Sequence, residues 1–62
     1  MVTMREARKA KNLTQKELGC IIGKKPTAVS YYESGMREPR LETAKKIAAV
    51  LDVPLTDLIF SK

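Results

Sequence analysis

The chain offers few of the side chains that carry out catalysis in proteins. It contains no histidine, and Cys20 is its one cysteine, so it lacks the commonest general base and any thiol pair for a disulfide or a metal site. No two carboxylates are spaced to share a helical face for acid and base work. We therefore expect no enzymatic activity, no metal and no cofactor. A free thiol fits a reducing cytoplasm.

The side chains with the clearest chemical potential are basic. Twelve Lys and Arg stand against seven Asp and Glu, for a net charge of +5. Residues 1–32 contain seven of the bases and two of the acids, whereas residues 33–62 contain five of each. Confinement of the excess charge to one half of the chain is typical of a surface that binds nucleic acid. An ordinary soluble surface rich in lysine explains the charge alone equally well.

The length of the chain limits it to one small domain. Sixty-two residues are near the lower limit at which a single hydrophobic core is stable by itself. Residues 1–11 are charged throughout, and the longest uninterrupted apolar run is Ile47 to Leu51. That pattern fits neither a secretory signal nor a membrane span. The sequence thus predicts a single domain over residues 1–62 with no membrane segment.

Local start and stop signals predict the helices that position the basic residues. Thr3 with Glu6, and Thr14 with Glu17, have the T-x-x-E spacing of a capping box, which begins a helix by pairing free backbone N–H groups. Glycine commonly ends a helix, and proline is favoured at a first helical position. The predicted helices run from Met4 to about Lys11, Gln15 to about Ile22, Pro26 to Ser34, Leu41 to Leu51 and Leu55 to Ile59.

The second and third helices have complementary apolar stripes. Leu18 and Ile22 are four residues apart on one helix, and Val29 and Tyr32 are three apart on the other. Gly19 has no side chain where two steeply crossing helices need their backbones close. Two short amphipathic helices joined by a glycine turn form the helix-turn-helix pattern.

The outward face of the third helix carries short or hydrogen-bonding groups, which suit an approach to base edges in a major groove. Its members are Thr27, Ala28, Ser30, Tyr31 and Ser34. Tyr31 could instead pack half-buried along the helix. Lys24 and Lys25 precede this helix, at the end where a cation is disfavoured by roughly 0.3–1 kcal/mol. A phosphate docked between them explains that placement, although both could simply lie in solvent.

Three phrases of the sequence, LTQKELG, AVSYYESG and REPRLETAKKIAAVLDVPLTDL, occur in this order between Met4 and about Ile59. They resemble the DNA-binding domain of phage repressors and Xre-type bacterial regulators. The resemblance implies an all-α, compact five-helix, lambda-repressor-like domain with a helix-turn-helix at helices 2 and 3. It also implies a transcriptional regulator, here a repressor, whose partner is double-stranded DNA. Because one helix reads only a few base pairs, specificity favours a homodimer on a palindromic operator.

The resemblance assigns roles to particular positions. It places base contacts at Lys25, Pro26, Thr27, Ala28, Ser30 and Tyr31. Phosphate contacts are expected at Gln15, Lys24, Lys25, Arg37 and Arg40. Glu38, between the last two, departs from the family pattern and weakens their assignment. Arg8 stands where the family has an arginine bonded to the glutamate at Glu33, so we predict a structural ion pair between them.

The C-terminal segment carries more apolar surface than one short helix can bury. Val50, Leu55, Ile59 and Phe60 form a candidate dimer interface, although most of them could equally belong to the core. Other functions of the same fold remain open. The chain could be an antitoxin or a restriction-modification controller, or a protein-interaction module that has lost DNA binding and acts through a partner protein.

Overall fold

The structure, a computed structural model, describes residues 1–60. Its α-helices are α1 (Met4–Ala10), α2 (Gln15–Ile22), α3 (Pro26–Ser34) and α4 (Leu41–Leu51). A 3-10 turn over Leu55–Asp57 follows α4. Two short strands, β1 (Val2–Thr3) and β2 (Leu58–Ile59), pair in parallel. No helix of the described part is long and apolar enough to cross a membrane.

Both predicted capping boxes are present. The Glu6 N–H donates to the Thr3 hydroxyl over 3.1 Å, and the Thr3 N–H donates to the Glu6 carboxylate over 3.1 Å. This backbone hydrogen bond, together with one from the Thr3 hydroxyl, lowers the pKa of Glu6. Thr14 and Glu17 make the same reciprocal bonds over 3.0 and 2.8 Å. The starts of α1 and α2 are therefore fixed by local chemistry.

The helices end in left-handed residues at the predicted places. Gly23 has φ 75° and Gly35 has φ 83°, and Asn12 and Asp52 each have φ 58°. Asp52 thus serves as the end of α4 although a glycine is more usual there. Lys11, which follows α1, is exposed, and its ammonium lies 3.8 Å from the Asp52 carboxylate.

Gly19 is required by a close approach of backbone atoms. A Cβ at this position would lie 2.6 Å from the carbonyl oxygen of Lys24. The Lys24 N–H also donates to the Gly19 carbonyl over 2.7 Å. The tight contact predicted at Gly19 therefore exists, but it is made with the turn between α2 and α3. This contact holds the turn against α2.

The core lies between the four helices and the C-terminal strand. Its fully buried side chains come from α1, α2, α3 and α4, namely Met4, Leu18, Val29, Ile47 and Leu51. The sequence spacing predicts one apolar stripe on α4, made of Leu41, Ala44, Ile47, Ala48 and Leu51. Leu41 is nevertheless 62% exposed. Its place at the first position of α4 puts it beyond the edge of the core.

The predicted fifth helix, Leu55 to Ile59, is wrong. Only its first part is helical, as a 3-10 turn, after which the chain extends into β2. There Leu58 lies opposite Val2, and Ile59 opposite Thr3. β-Branched residues fit such extended pairing well. Residues 1–60 therefore form four α-helices, and a small parallel sheet pairs β1 with β2.

Candidate nucleic-acid interface

The two faces of α3 divide as the sequence predicts. Val29 and Tyr32 are buried, at 0% and 7% exposure, and face the core. Thr27 is exposed, and Tyr31 is 38% exposed. Ser30 lies half-buried beside them. The outward face of α3 therefore carries hydroxyl groups on a short, well-anchored helix.

The N-terminal end of α3 is strongly positive. Pro26 is its first residue, and Lys25 stands at the cap with no side-chain hydrogen bond. The first turn holds no acidic residue, and both Lys24 and Lys25 are exposed. Ala28 is half-buried and packs against the core, so its methyl is less available than predicted. The ammonium groups of Lys24 and Lys25 and the free backbone N–H groups of the helix N-terminus together favour binding of an anion.

Three of the predicted phosphate contacts line one depression, which we call the loop-side groove. Its residues are Lys24, Tyr32, Arg37, Glu38, Arg40 and Thr43. The turn before α3 and the loop after it thus meet at this groove. Glu38 lies within it, which is consistent with the weaker assignment of Arg37 and Arg40.

Lys46 extends the same basic surface and was missed by the sequence analysis. It lines an adjoining depression together with Lys24 and Arg40. Lys46 lies in the middle of α4, where its position in sequence gives no sign of the contact. Only the packing of α4 beside the turn between α2 and α3 brings it there.

A second depression, the Gln15 groove, is lined by Arg5, Gln15, Ser30, Glu33 and Ser34. At about 100° per residue, Ser30 and Ser34 project about 160° away from Tyr32, which lines the loop-side groove, and Glu33 projects about 100° away from it. The two grooves therefore lie on opposite sides of α3. Arg5 was not among the predicted site residues, although its position on α1 brings it to the same groove as Gln15.

A buried polar network connects α1, α2 and α3. Arg8 Nε donates to Glu33 Oε2 over 2.5 Å, and Arg8 Nη1 donates to the Leu13 carbonyl over 2.7 Å. Gln15 Nε2 donates to Glu33 Oε1 over 3.1 Å. The Arg8 and Glu33 side chains are only 9% and 5% exposed. The ion pair expected from the sequence is thus present, and it also orients Gln15, a link that the sequence analysis missed.

The candidate dimer residues lie at the boundary between the core and the surface. Val50, Leu55, Ile59 and Phe60 are all half-buried. All but Ile59 pack against the core cluster. Phe60 also lines a small depression with Gly35, Glu38 and Pro39, next to the loop after α3. The patch is therefore partly core and partly available surface.

Within residues 1–60 no cluster of His, Cys, Asp and Glu could hold a metal ion. Cys20 is exposed and unpaired. Every buried side-chain nitrogen or oxygen in this part of the chain has a hydrogen-bond partner.

Comparison with known proteins places this geometry in a family. The family model described as Helix-turn-helix matches residues 4–58. The chain is 42% identical over 50 residues to "Putative multi-protein-binding factor 1" of Yarrowia lipolytica. This match covers 81% of this chain and 33% of that protein. It is 40% identical over 57 residues to the "Uncharacterized HTH-type transcriptional regulator RghRB" of Bacillus subtilis, and this match covers 90% of this chain and 41% of that protein.

A phage protein is also similar. The "Cryptic phage CTXphi transcriptional repressor RstR" of Vibrio cholerae is 34% identical over 56 residues, covering 90% of this chain and 50% of that protein. The chain thus spans one third to one half of the length of these three relatives. The matched residues include the capping box at Thr14 and Glu17, the turn at Gly23 and the outward face of α3. The chain belongs to the helix-turn-helix family of phage repressors and Xre-type transcriptional regulators.

Proposed function

We propose that the chain is a sequence-specific DNA-binding transcriptional regulator that acts as a repressor. The observation that carries this proposal is the outward face of α3, where exposed Thr27 and Tyr31 accompany half-buried Ser30 and two grooves containing basic residues border the helix. Small hydroxyl groups on a firmly packed helix suit contact with base edges in a major groove. The names of the B. subtilis and V. cholerae relatives agree with a regulator and a repressor.

Recognition divides between two kinds of contact. Lys24, Lys25, Arg37 and Arg40 bind phosphates and thereby set the position of α3 on the duplex. Gln15 binds a phosphate on the other side of α3. The side chains of Thr27, Ala28, Ser30 and Tyr31 then read bases in the major groove.

A homodimer on a palindromic operator completes the proposal. One α3 reads only a few base pairs, and a two-fold dimer doubles the site by placing two such helices about 34 Å apart. The half-buried Val50, Leu55, Ile59 and Phe60 provide apolar surface for the contact between protomers. Repression then follows from occupancy of the operator.

Selection of bound sites from a library of random duplexes tests this function. We expect enrichment of an inverted repeat whose half-sites are centred about one helical turn apart, or a multiple of it. The enriched sequence gives the operator, its symmetry and its spacing together. Absence of any enriched sequence, with equal binding to all duplexes, would remove sequence-specific recognition from the proposal.

Lys25 and Thr27 should have separable effects on binding. Lys25→Ala is expected to weaken binding to selected and random duplexes about equally, since a phosphate contact carries no sequence information. Thr27→Ala should reduce discrimination at one base pair by about 1–3 kcal/mol. Titrations of both variants against the selected duplex and single-base variants of it measure these effects. Binding like that of the parent in both variants would show that the assigned contacts are wrong.

Phe60→Asp should shift the chain toward monomers, because the change places a charge in the apolar patch. Sedimentation of the parent and the variant at micromolar concentration checks this, with circular dichroism to verify that the variant remains helical. A parent that is itself monomeric under these conditions would rule out the proposed patch, whatever the variant does.

A protein-interaction module is a second candidate. It is favoured by the name of the Y. lipolytica relative, "Putative multi-protein-binding factor 1". The dependence of binding on salt separates the two functions. A DNA-binding protein loses affinity steeply between low and moderate salt because it releases counterions. Weak affinity for duplexes of every sequence, unchanged by salt, would favour the interaction module.

A further inference from the structure

Arg5 lines the Gln15 groove and carries a positive charge, but it is not among the proposed phosphate-binding residues. It lies in the first turn of α1, is exposed, and lines the same groove as Gln15. The salt bridges recorded among residues 1–60 join Arg8 to Glu33 and Lys11 to Asp52. Arg5 thus has no carboxylate partner within the described part of the chain.

The one acid in this groove is already neutralised. Glu33 Oε2 accepts from Arg8 Nε, and Glu33 Oε1 accepts from Arg8 Nη2 over 3.4 Å and from Gln15 Nε2 over 3.1 Å. With a side chain only 5% exposed, Glu33 has little capacity left to bind Arg5. Together the three charged groups leave one net positive charge, and it resides on the exposed Arg5.

The groove also offers the donors that a phosphate needs. The Gln15 amide has a second N–H besides the one that binds Glu33. The Ser30 hydroxyl lies at the same groove. A guanidinium presents several donors in a planar fork that matches phosphate oxygens. Arg5, the Gln15 amide and the Ser30 hydroxyl therefore line one open groove, in which the charge of Glu33 is already neutralised by Arg8.

We propose that Arg5 is a phosphate-binding residue, which together with Gln15 holds a DNA backbone phosphate on the side of α3 opposite the loop-side groove. This assignment rests on the proposed DNA-binding function and extends it to α1. Contacts on both sides of α3 fix its rotation in the major groove, which the loop-side groove alone does not do. The Arg8–Glu33 pair supports this contact, because Glu33 also accepts a hydrogen bond from Gln15 and thereby orients the Gln15 amide in the groove that Arg5 lines.

The salt dependence of DNA binding tests the role of Arg5. Each phosphate contact contributes about 0.9 to the slope of log affinity against log salt, or roughly a 3.5-fold loss between 50 and 200 mM. Arg5→Gln should therefore lower the slope by about 0.9 for each protomer bound, on the selected duplex and on random DNA alike. Arg5→Lys should retain most of the slope. Lys45→Gln is the matched control, since it removes the same charge from an exposed site on α4.

Single neutral methylphosphonates along the selected duplex identify the contact. One substitution in each half-site should weaken binding of the parent much more than binding of Arg5→Gln, because the variant keeps only the Gln15 contact with that phosphate. Equal slopes for Arg5→Gln and Lys45→Gln would overturn the assignment and leave the DNA-binding function intact. A parent that binds no duplex in a salt-dependent way would overturn both.

Discussion

Replacing Arg8 with methionine is expected to destabilise the domain by about 3–5 kcal/mol, because it leaves a buried carboxylate without its cation. Glu33 would keep only the hydrogen bond from Gln15, and the Leu13 carbonyl would lose its donor. Because methionine fills a volume similar to that of arginine, the loss of stability reflects the unpaired charge of Glu33 and not a cavity. A domain of this size has a total stability of about 3–5 kcal/mol. Circular dichroism at 25 °C should therefore show a largely unfolded chain.

Two companion variants separate the buried charge from other causes. Arg5→Met makes the same change at an exposed position of α1 and should alter stability by no more than about 0.5 kcal/mol. The double variant Arg8→Met with Glu33→Leu removes both charges, and it should recover much of the loss because apolar pairs often replace buried ion pairs at little cost. Circular dichroism at 25 °C compares the helical content of all three variants, and urea titration measures the free energy of unfolding of those that fold. A double variant less stable than Arg8→Met alone would contradict this account.

The features predicted correctly from the sequence are those fixed by neighbouring residues. The two capping boxes, the proline at the start of α3 and the glycines at residues 23 and 35 act within one helical turn. The division of α3 into a buried and an exposed face follows from its own periodicity. The Arg8–Glu33 pair joins residues 25 apart, and it was anticipated only because the family resemblance supplied it.

The features that were missed depend on residues far apart in sequence. The extended conformation of Leu58–Ile59 is set by pairing with Val2–Thr3 at the other end of the chain, so the local apolar pattern could not distinguish it from a helix. Leu41 fits the α4 stripe but extends past the core. Arg5 and Lys46 reach their grooves only when the helices pack. Helical periodicity therefore identified the exposed face of α3 but not the surfaces beside it.

Gly19→Leu is expected to destabilise the domain by about 2 kcal/mol through crowding at the turn between α2 and α3. The new Cβ alone would lie 2.6 Å from the Lys24 carbonyl oxygen, and backbone must move to admit it. Overpacking of this kind costs about 1–3 kcal/mol, and the rest of the leucine side chain brings the cost to the upper end. Leucine also favours the helix over glycine by up to about 1 kcal/mol, which offsets part of the loss.

The same displacement should weaken DNA binding in molecules that remain folded. Lys24 and Lys25 lie on the turn that the leucine pushes away from α2, so α3 would meet the duplex at a changed angle. Cys20→Leu, at the adjacent exposed position of α2, is the control and should change neither stability nor affinity appreciably. Thermal unfolding and titration with the selected duplex measure the two effects. If Gly19→Leu matches the control in both, the contact with Lys24 does not hold the turn in place, and the angle of α3 is set by core packing alone.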